Sequence, residues 1–393
     1  MIDYDRLNDD LSIMTWNWRQ EDWPRFVWDE RKLARAEALF AEGAGVVVGA
    51  SKHLRAPERE SLAIALMSHE AVDTSAIEGE ALDCESVQSS IRKQLGLGGD
   101  HRRANPAEAG IAQLMVDLYD QVSAPLSEET PHRWHGLVTN GRTDLTDVGR
   151  YRTHNDPMRI VSGPIHAPKV HFEAPPSPQV PREMAAFWQW LDASDPRGAA
   201  PIAPLTRAGM AHIWYESIHP YEDGNGRIGR AISEKLLAQG LSSGVVTGMG
   251  STLLKHRKAY YAALERAHGN LEITDWLLWF AAKAIEAQRR AIQAVEFVLE
   301  TSRLMDRVRN QINVRQEKVL LRLFEAGPDG FIGGLSAANY MRITGAPSAT
   351  TTRDLGALVA MTALLRSGEH KSTRYRLNLE VGPVQPVEIA AIL

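Results

Sequence analysis

The chain has 393 residues, 44% of them hydrophobic and 24% charged, with a formal net charge of −5. That length holds about two or three domains with a sizeable core, and the slight acidity excludes a nucleic-acid coat over the whole surface while leaving room for a local basic face. A single cysteine, Cys84, excludes an internal disulfide or a Cys-rich zinc site and fits a reduced thiol in a cytosol.

The first residues, MIDYDRLNDD, are polar and acidic and do not read as a signal peptide. No run of about eighteen apolar residues predicts a membrane span. Trp16, Trp18, Trp23 and Trp28 crowd the start and read as a packing cap of large apolar side chains. Helical spacing follows over 31–54, with a glycine-rich interruption at 43–49, then over 59–75. A further helix runs through Val87 and Ile91 and stops near Gly96, Gly98 and Gly99. Residues 130–138 are helical in pattern. Two short extended runs, 158–161 and 169–172, flank a Gly-Pro-rich turn; on these residues alone a β-hairpin and an irregular loop are equally supported. After the proline-rich stretch 175–181, helices are predicted over 182–191, 204–217, 227–239, 254–268 and 274–305. From Gln316 the pattern resets to three short helices, at 319–324, 336–344 and 348–358. Two strand-like runs, 364–365 and 375–379, follow. Three helices and a two-stranded wing is the order of a winged helix.

Residues 219–230 read HPYEDGNGRIGR. Gly224 and Gly226 remove side chains, so backbone N–H groups can turn inward toward an anion. A helix starting near Arg227 adds unpaired N–H groups and a positive dipole end. Asn225 adds a side-chain amide, and Arg227 and Arg230, three apart, share one face. Asp223 is placed to hold a divalent cation, Mg²⁺ typically taking one or two carboxylates plus phosphate oxygens. His219 suits a general base. The letters GNGRIG also fit G-x-G-x-x-G, but no buried strand precedes them, so a dinucleotide fold is not supported. No zinc spacing of the H-E-x-x-H kind is present.

This segment resembles the signature of the Fic family, H-P-[FY]-x-[DE]-G-N-G-R-x-x-R, with Tyr221 where phenylalanine is more usual. The resemblance implies a mainly α fold: a Fic helical bundle with a β-hairpin flap that docks a target, matching 158–172 in position. Gly149, Tyr151 and Arg152 resemble the segment leading into that flap. It implies transfer of AMP from ATP to a Ser, Thr or Tyr hydroxyl of a target protein or of the chain itself. His219 would be the base and Asp223 the Mg²⁺ ligand. Gly224, Asn225 and Gly226 would form the anion hole, with Arg227 and Arg230 on the β/γ-phosphates; Ile228 and Gly229 complete the nucleotide-binding run.

Upstream, TSAIEGE at 74–80 resembles the family's inhibitory pattern, with Glu78 as its glutamate. A carboxylate paired with Arg230 would withdraw that arginine from the γ-phosphate and repel the nucleotide. In some relatives of this kind the same glutamate positions a water that removes AMP, so de-adenylylation stands as an alternative main activity. Tyr261, beside Tyr260, is a candidate adenine-stacking residue, while ordinary packing explains it equally. His212 reads as a core or surface histidine. Arg353, Arg366, Lys371, Arg374 and Arg376 give the C-terminal segment a modest basic edge. DNA binding by a nucleotide-sensing regulator and protein docking both remain open there. The expected division is an N-terminal helical domain over 1–100 containing the inhibitory motif at 74–79, a catalytic core over 101–300 and a winged-helix-like domain over 306–393. The expected location is cytoplasmic. The resemblance is compatible with a homodimer, and no residue here fixes that state.

Overall fold

The computed structural model describes residues 16–98, 102–164, 168–240, 247–328, 330–331 and 333–393. The first ten residues, Gly99 and the tip of the 158–172 hairpin lie outside them, as does the side chain of Lys371. The chain divides into two units. One comprises the described parts of Met1–Gly45, Ala63–Gln288 and Pro386–Leu393; the other comprises Val46–Leu62 and Arg289–Gln385. No helix among the described residues is long and apolar enough to cross a membrane.

The fold is mainly helical. In chain order the helices are α1 (Glu30–Ser51), α2 (Ala56–Ile77), α3 (Cys84–Gln94), α4 (Pro106–Asp120), α5 (Glu129–Val138), α6 (Val180–Ala193), α7 (Pro204–Ile218), α8 (Asn225–Gly240), α9 (Met249–Lys255), α10 (Arg257–Ala267) and α11 (Thr274–Val308). Between α5 and α6 stand strands β1 (Arg159–Ser162) and β2 (Lys169–Glu173), paired antiparallel with a register irregularity between Ile160 and Val161.

Several expectations are corrected. Helix α1 runs through its glycines without interruption. A side chain at Gly43 would meet the Gln288 amide, its Oε1 2.0 Å from a Cβ, and Gln288 Nε2 donates to the Phe40 carbonyl at 2.8 Å. Packing thus outweighs the helix penalty of glycine, about 1 kcal/mol per residue. Helix α4 was not expected, although Asn105 and Glu108 form a reciprocal capping box at its start. The helix expected over 254–268 is two, broken at His256, whose Nε2 turns onto the buried Glu286 at 3.1 Å. Helix α8 begins at Asn225, two residues early.

The core of the larger unit surrounds α7, buried from Leu205 to Ile218. Its apolar members include Met210, Ile213, Trp214 and Ile218, packed with Ile228 and Ile232 of α8. An all-round buried helix carrying Arg207, His212 and Glu216 must partner those groups internally. His212 does so, with Nδ1 2.9 Å from Ser233 Oγ and Nε2 2.8 Å from Tyr260 OH. The N-terminal tryptophans brace the hairpin: Trp16 meets Phe172 edge-on at 5.3 Å, and Trp18 Nε1 donates to the Glu173 carbonyl at 2.6 Å.

In the smaller unit, α12 (Val314–Glu325), α13 (Ala337–Thr344) and α14 (Ser348–Ala360) precede the antiparallel pair β3 (Leu364–Ser367) and β4 (Arg374–Leu377). Val319, Leu320, Leu323, Tyr340, Leu355, Leu358 and Leu364 form its core.

Candidate active site

The site is built where α7 turns into α8. His219 ends α7 with φ 50° and ψ 63°, a left-handed conformation that costs a non-glycine residue on the order of 1 kcal/mol or more. Arg152 stabilises it. Its Nε donates to the His219 carbonyl at 2.8 Å, and its Nη atoms reach Ser177 Oγ at 2.8 Å and the Pro175 carbonyl at 2.5 Å. Arg152 N donates to the Pro220 carbonyl at 2.9 Å. One buried guanidinium therefore joins the His219 turn to the foot of the hairpin.

Asn225 closes the next turn. Its Oδ1 accepts from Tyr221 N at 2.9 Å and its Nδ2 donates to the Tyr221 carbonyl at 2.7 Å. The expected side-chain amide in an anion hole is thus spent on the backbone, and Asn225 offers only its main chain there. Gly224, at φ 78°, permits the turn. Tyr221 is buried, stacked on His135 at 4.3 Å, with its hydroxyl 2.8 Å from His132 Nδ1, which explains a tyrosine at this place. Glu222 accepts from the Thr146 and Asp147 N–H groups.

A cavity of about 620 Å³ opens beside this turn, lined by His219, Asp223, Gly226, Arg230, Glu78 and Tyr261. The hairpin closes one side with Met158, Ile160 and Phe172. Burial, reinforced by the Arg152 charge, pulls the His219 imidazole down to about 4, so it is neutral near pH 7 and able to accept a proton. Burial works against the charged form of Asp223, but the Gly224 N–H and Arg142 hold its carboxyl below the usual range. Arg142 Nη1 lies 2.5 Å from Asp223 Oδ2.

The two arginines of the motif part company. Arg230 is buried, donating through Nε to Thr74 Oγ1 at 2.7 Å and through Nη2 to the Thr74 carbonyl at 2.9 Å, with Glu78 Oε1 2.7 Å from Nη2. Arg227 instead pairs with Glu80 Oε2 at 2.8 Å and the Val138 carbonyl at 3.1 Å, and it does not line the cavity. Each guanidinium thus finds a different acceptor, and only Arg230 reaches the cavity. Ile228 and Gly229 do not line the cavity either. They fall on the core side of α8, Ile228 with no exposed surface. Tyr261 does line it, its hydroxyl donating to the Ile77 carbonyl at 3.2 Å. Glu78 leans over the first turn of α8: a Cβ on Gly226 would lie 2.3 Å from Glu78 Oε1. A carboxylate therefore stands at a helix N-terminus suited to an anion.

Sequence reasoning missed Glu80, Arg142 and Glu216. The first had a signal, since the E-x-E of IEGE matches the R-x-x-R of the motif. It also missed Glu265, 3.0 Å from Lys169 Nζ and 3.3 Å from His171 Nδ1, which ties β2 to α10.

The cavity thus brings together a neutral buried histidine, a carboxylate and a buried arginine at a glycine-opened helix start, groups able to accept a proton and to attract an anion. Residues 125–237 match the model of the Fic/DOC family, and residues 16–97 match a domain of unknown function, DUF4172. The protein adenylyltransferase Fic of Nematostella vectensis is 31% identical over 206 residues, 50% of this chain and 43% of that protein. The protein adenylyltransferase fic-1 of Caenorhabditis elegans is 24% identical over 202 residues, 50% of this chain and 35% of that protein. The chain thus spans less than half the length of these relatives. A crystal structure of a Fic family protein from Desulfovibrio desulfuricans G20 aligns with TM-score 0.49 and 22% identity, covering 87% of this chain and 95% of that one.

Proposed function

We propose that this chain is a protein adenylyltransferase that moves AMP from ATP to a hydroxyl of a target protein, held in check by its own Glu78. The observation that carries this reading is the Glu78–Arg230 ion pair at 2.7 Å, lying over the helix start beside His219. The hydroxyl oxygen would bond to the α-phosphorus, its proton passing to His219. The bond to the α,β-bridging oxygen breaks and pyrophosphate leaves. Arg230, once released from Glu78, would hold the terminal phosphates, while Gly224 and Gly226 let backbone N–H groups approach them. Tyr261 lines the cavity where a base could stack.

Among the described residues no cluster of three or more metal-binding side chains exists. Asp223 alone, half exposed at the cavity, suits Mg²⁺, which can bind through one carboxylate with the remaining ligands from phosphate and water. When bound there it would neutralise phosphate charge. Arg142 must yield Asp223 for this to happen. In the smaller unit, the order of three helices and a hairpin supports a winged-helix reading, although residues 386–393 of the expected 306–393 domain fall in the larger unit.

The test is labelled ATP. Glu78→Gly should bind ATP more tightly and label itself, and adding His219→Ala should abolish the label. Absence of any His219-dependent label in Glu78→Gly would overturn the assignment. Because Glu78 and His219 line the same cavity, removal of AMP by a Glu78-held water is a second reading. Wild type should then strip a modified target faster than Glu78→Gly does, and equal rates would refute it.

A further inference from the structure

Several buried polar atoms near His219 lack partners, and two of them belong to residues three apart in sequence. His219 Nδ1 and Glu216 Oε1 are both buried without a hydrogen-bond partner. The other carboxyl oxygen, Glu216 Oε2, lies 3.6 Å from His219 Nδ1, too long for a formed hydrogen bond and within reach of one after a small adjustment. The backbone carbonyl of Glu216 also bears on this edge of the ring. With Nδ1 turned inward, Nε2 is the nitrogen left for a substrate.

Space for the carboxyl is built in. Helix α8 passes it at Gly229, where a Cβ would lie 2.4 Å from Glu216 Oε1. Glu216 is 4% exposed and borders the cavity itself. A carboxyl so buried, with an unmade bond, is costly to keep in a fold for packing alone.

We propose that Glu216 is a positioning residue for His219, its carboxylate holding a proton on Nδ1 so that Nε2 serves as the base. The inference rests on the transferase reading above. As the target hydroxyl gives its proton to Nε2, the ring becomes an imidazolium, and Glu216 stabilises that charge without taking a proton. The charged and titratable groups facing Glu216 are His219 and Tyr215 of its own segment, Arg230 from α8, Glu78 from the end of α2 and Tyr260 from α10. Burial first, then the Glu78 charge, push the Glu216 carboxyl up to about 8 against the pull of Arg230. The resting chain therefore keeps Glu216 largely protonated at neutral pH. Removing Glu78 leaves Arg230 as the nearest charge and favours the carboxylate. Glu78 thus acts twice, on the arginine and through Glu216 on the base.

The experiment uses the full chain in the Glu78→Gly background. Glu216→Gln and Glu216→Ala should leave ATP affinity within about twofold and lower the rate of AMP transfer by about tenfold or more. The pH profile of transfer should also shift. Gly229→Ala, which displaces the carboxyl without changing its chemistry, should slow transfer similarly. Nitrogen-15 shifts of the His219 ring, assigned by their loss in His219→Ala, need no turnover. They should show Nδ1 protonated and a His219 midpoint that falls when Glu216 becomes Gln. An unchanged His219 midpoint and an unchanged transfer profile in Glu216→Gln would overturn the proposal, because the backbone carbonyl would then suffice. If Glu78→Gly shows no transfer while the His219 midpoint still responds to Glu216, the transferase reading fails and the pairing stands.

Discussion

Asp354 in the smaller unit and Glu216 in the larger one are both buried carboxylates, and they are treated in opposite ways. Asp354 is saturated: Arg315 Nε at 2.8 Å, Tyr340 OH at 2.9 Å and Asn313 Nδ2 at 3.3 Å all donate to it. Burial works against its charge, yet these donors hold its carboxyl below the usual range. It joins α14 to α13 and to the capped start of α12, which is a structural task. Glu216 has Oε1 unpartnered and a carboxyl pushed up to about 8 by burial. On the function proposed above, a fold that satisfies one buried acid and leaves another unsatisfied beside a histidine would place stability in the first and chemistry in the second.

The sharpest way to break that contrast is to neutralise each acid. Asp354→Asn should destabilise the smaller unit by about 1–2 kcal/mol, chiefly because the Tyr340 and Asn313 donors lose a charged acceptor, the exposed Arg315 cation being solvated. Glu216→Gln should cost far less and become stabilising toward pH 8. Urea unfolding of both variants at pH 6 and pH 8 measures this. Equal losses at both sites would dissolve the distinction.

A second, smaller effect follows from pH. Glu216 and Glu70 each have carboxyls raised to about 8, Glu70 by burial and by the neighbouring Glu234 charge. A raised acid binds its proton more tightly in the folded state. Its stabilisation is whole below the unfolded value near about 4.3 and is lost as pH rises toward 8. His219 and His135 are lowered by burial to about 4, so their contribution is present above about 6.5 and is lost as pH falls through 4. The unfolding midpoint should therefore pass through a maximum between these limits. Glu70→Gln and Glu216→Gln should flatten its alkaline side only. A slope above pH 6 that neither substitution changes would contradict the assignment of raised carboxyls.

How much of this was readable beforehand depends on how the contacts are made. HPYEDGNGRIGR is contiguous, so its turn, its glycine conformations and the helix start that follows are local backbone chemistry. The pairing of Glu78 with Arg230 was legible because TSAIEGE is itself a short pattern with a charge to match. The two extended runs around a turn left a hairpin and an irregular loop equally supported, and the position of the run relative to the motif tipped the reading to a hairpin. Arg142 on Asp223, Glu80 on Arg227 and the passage of α8 over Glu216 at Gly229 depend on segments brought together by packing. No spacing in the chain announces the contacts of Arg142 or of Gly229, and only the E-x-E of IEGE hints at that of Glu80. Asn225 was misread for a related reason: its amide looked free for a ligand until the turn it closes was in view. Helix α1 runs on through its glycines because Gln288 needs the room they leave, a demand invisible from 43–49 alone.

The smallest expected effect tests the rule on the motif itself. Tyr221 sits within the 219–230 segment, yet its hydroxyl is partnered by His132 Nδ1 at 2.8 Å and its ring is stacked on His135. By the reasoning applied to Asp354 it belongs to structure. Tyr221→Phe keeps the ring, removes one hydrogen bond and leaves a half-buried imidazole nitrogen to find another donor, a loss of about 1 kcal/mol or less. In the Glu78→Gly background its AMP transfer should keep both rate and pH profile, while the urea midpoint falls slightly. A moved pH profile would mean that the His132–Tyr221 pair reaches the base. Proximity within the motif, rather than an unsatisfied buried bond, would then mark the residues that carry the chemistry.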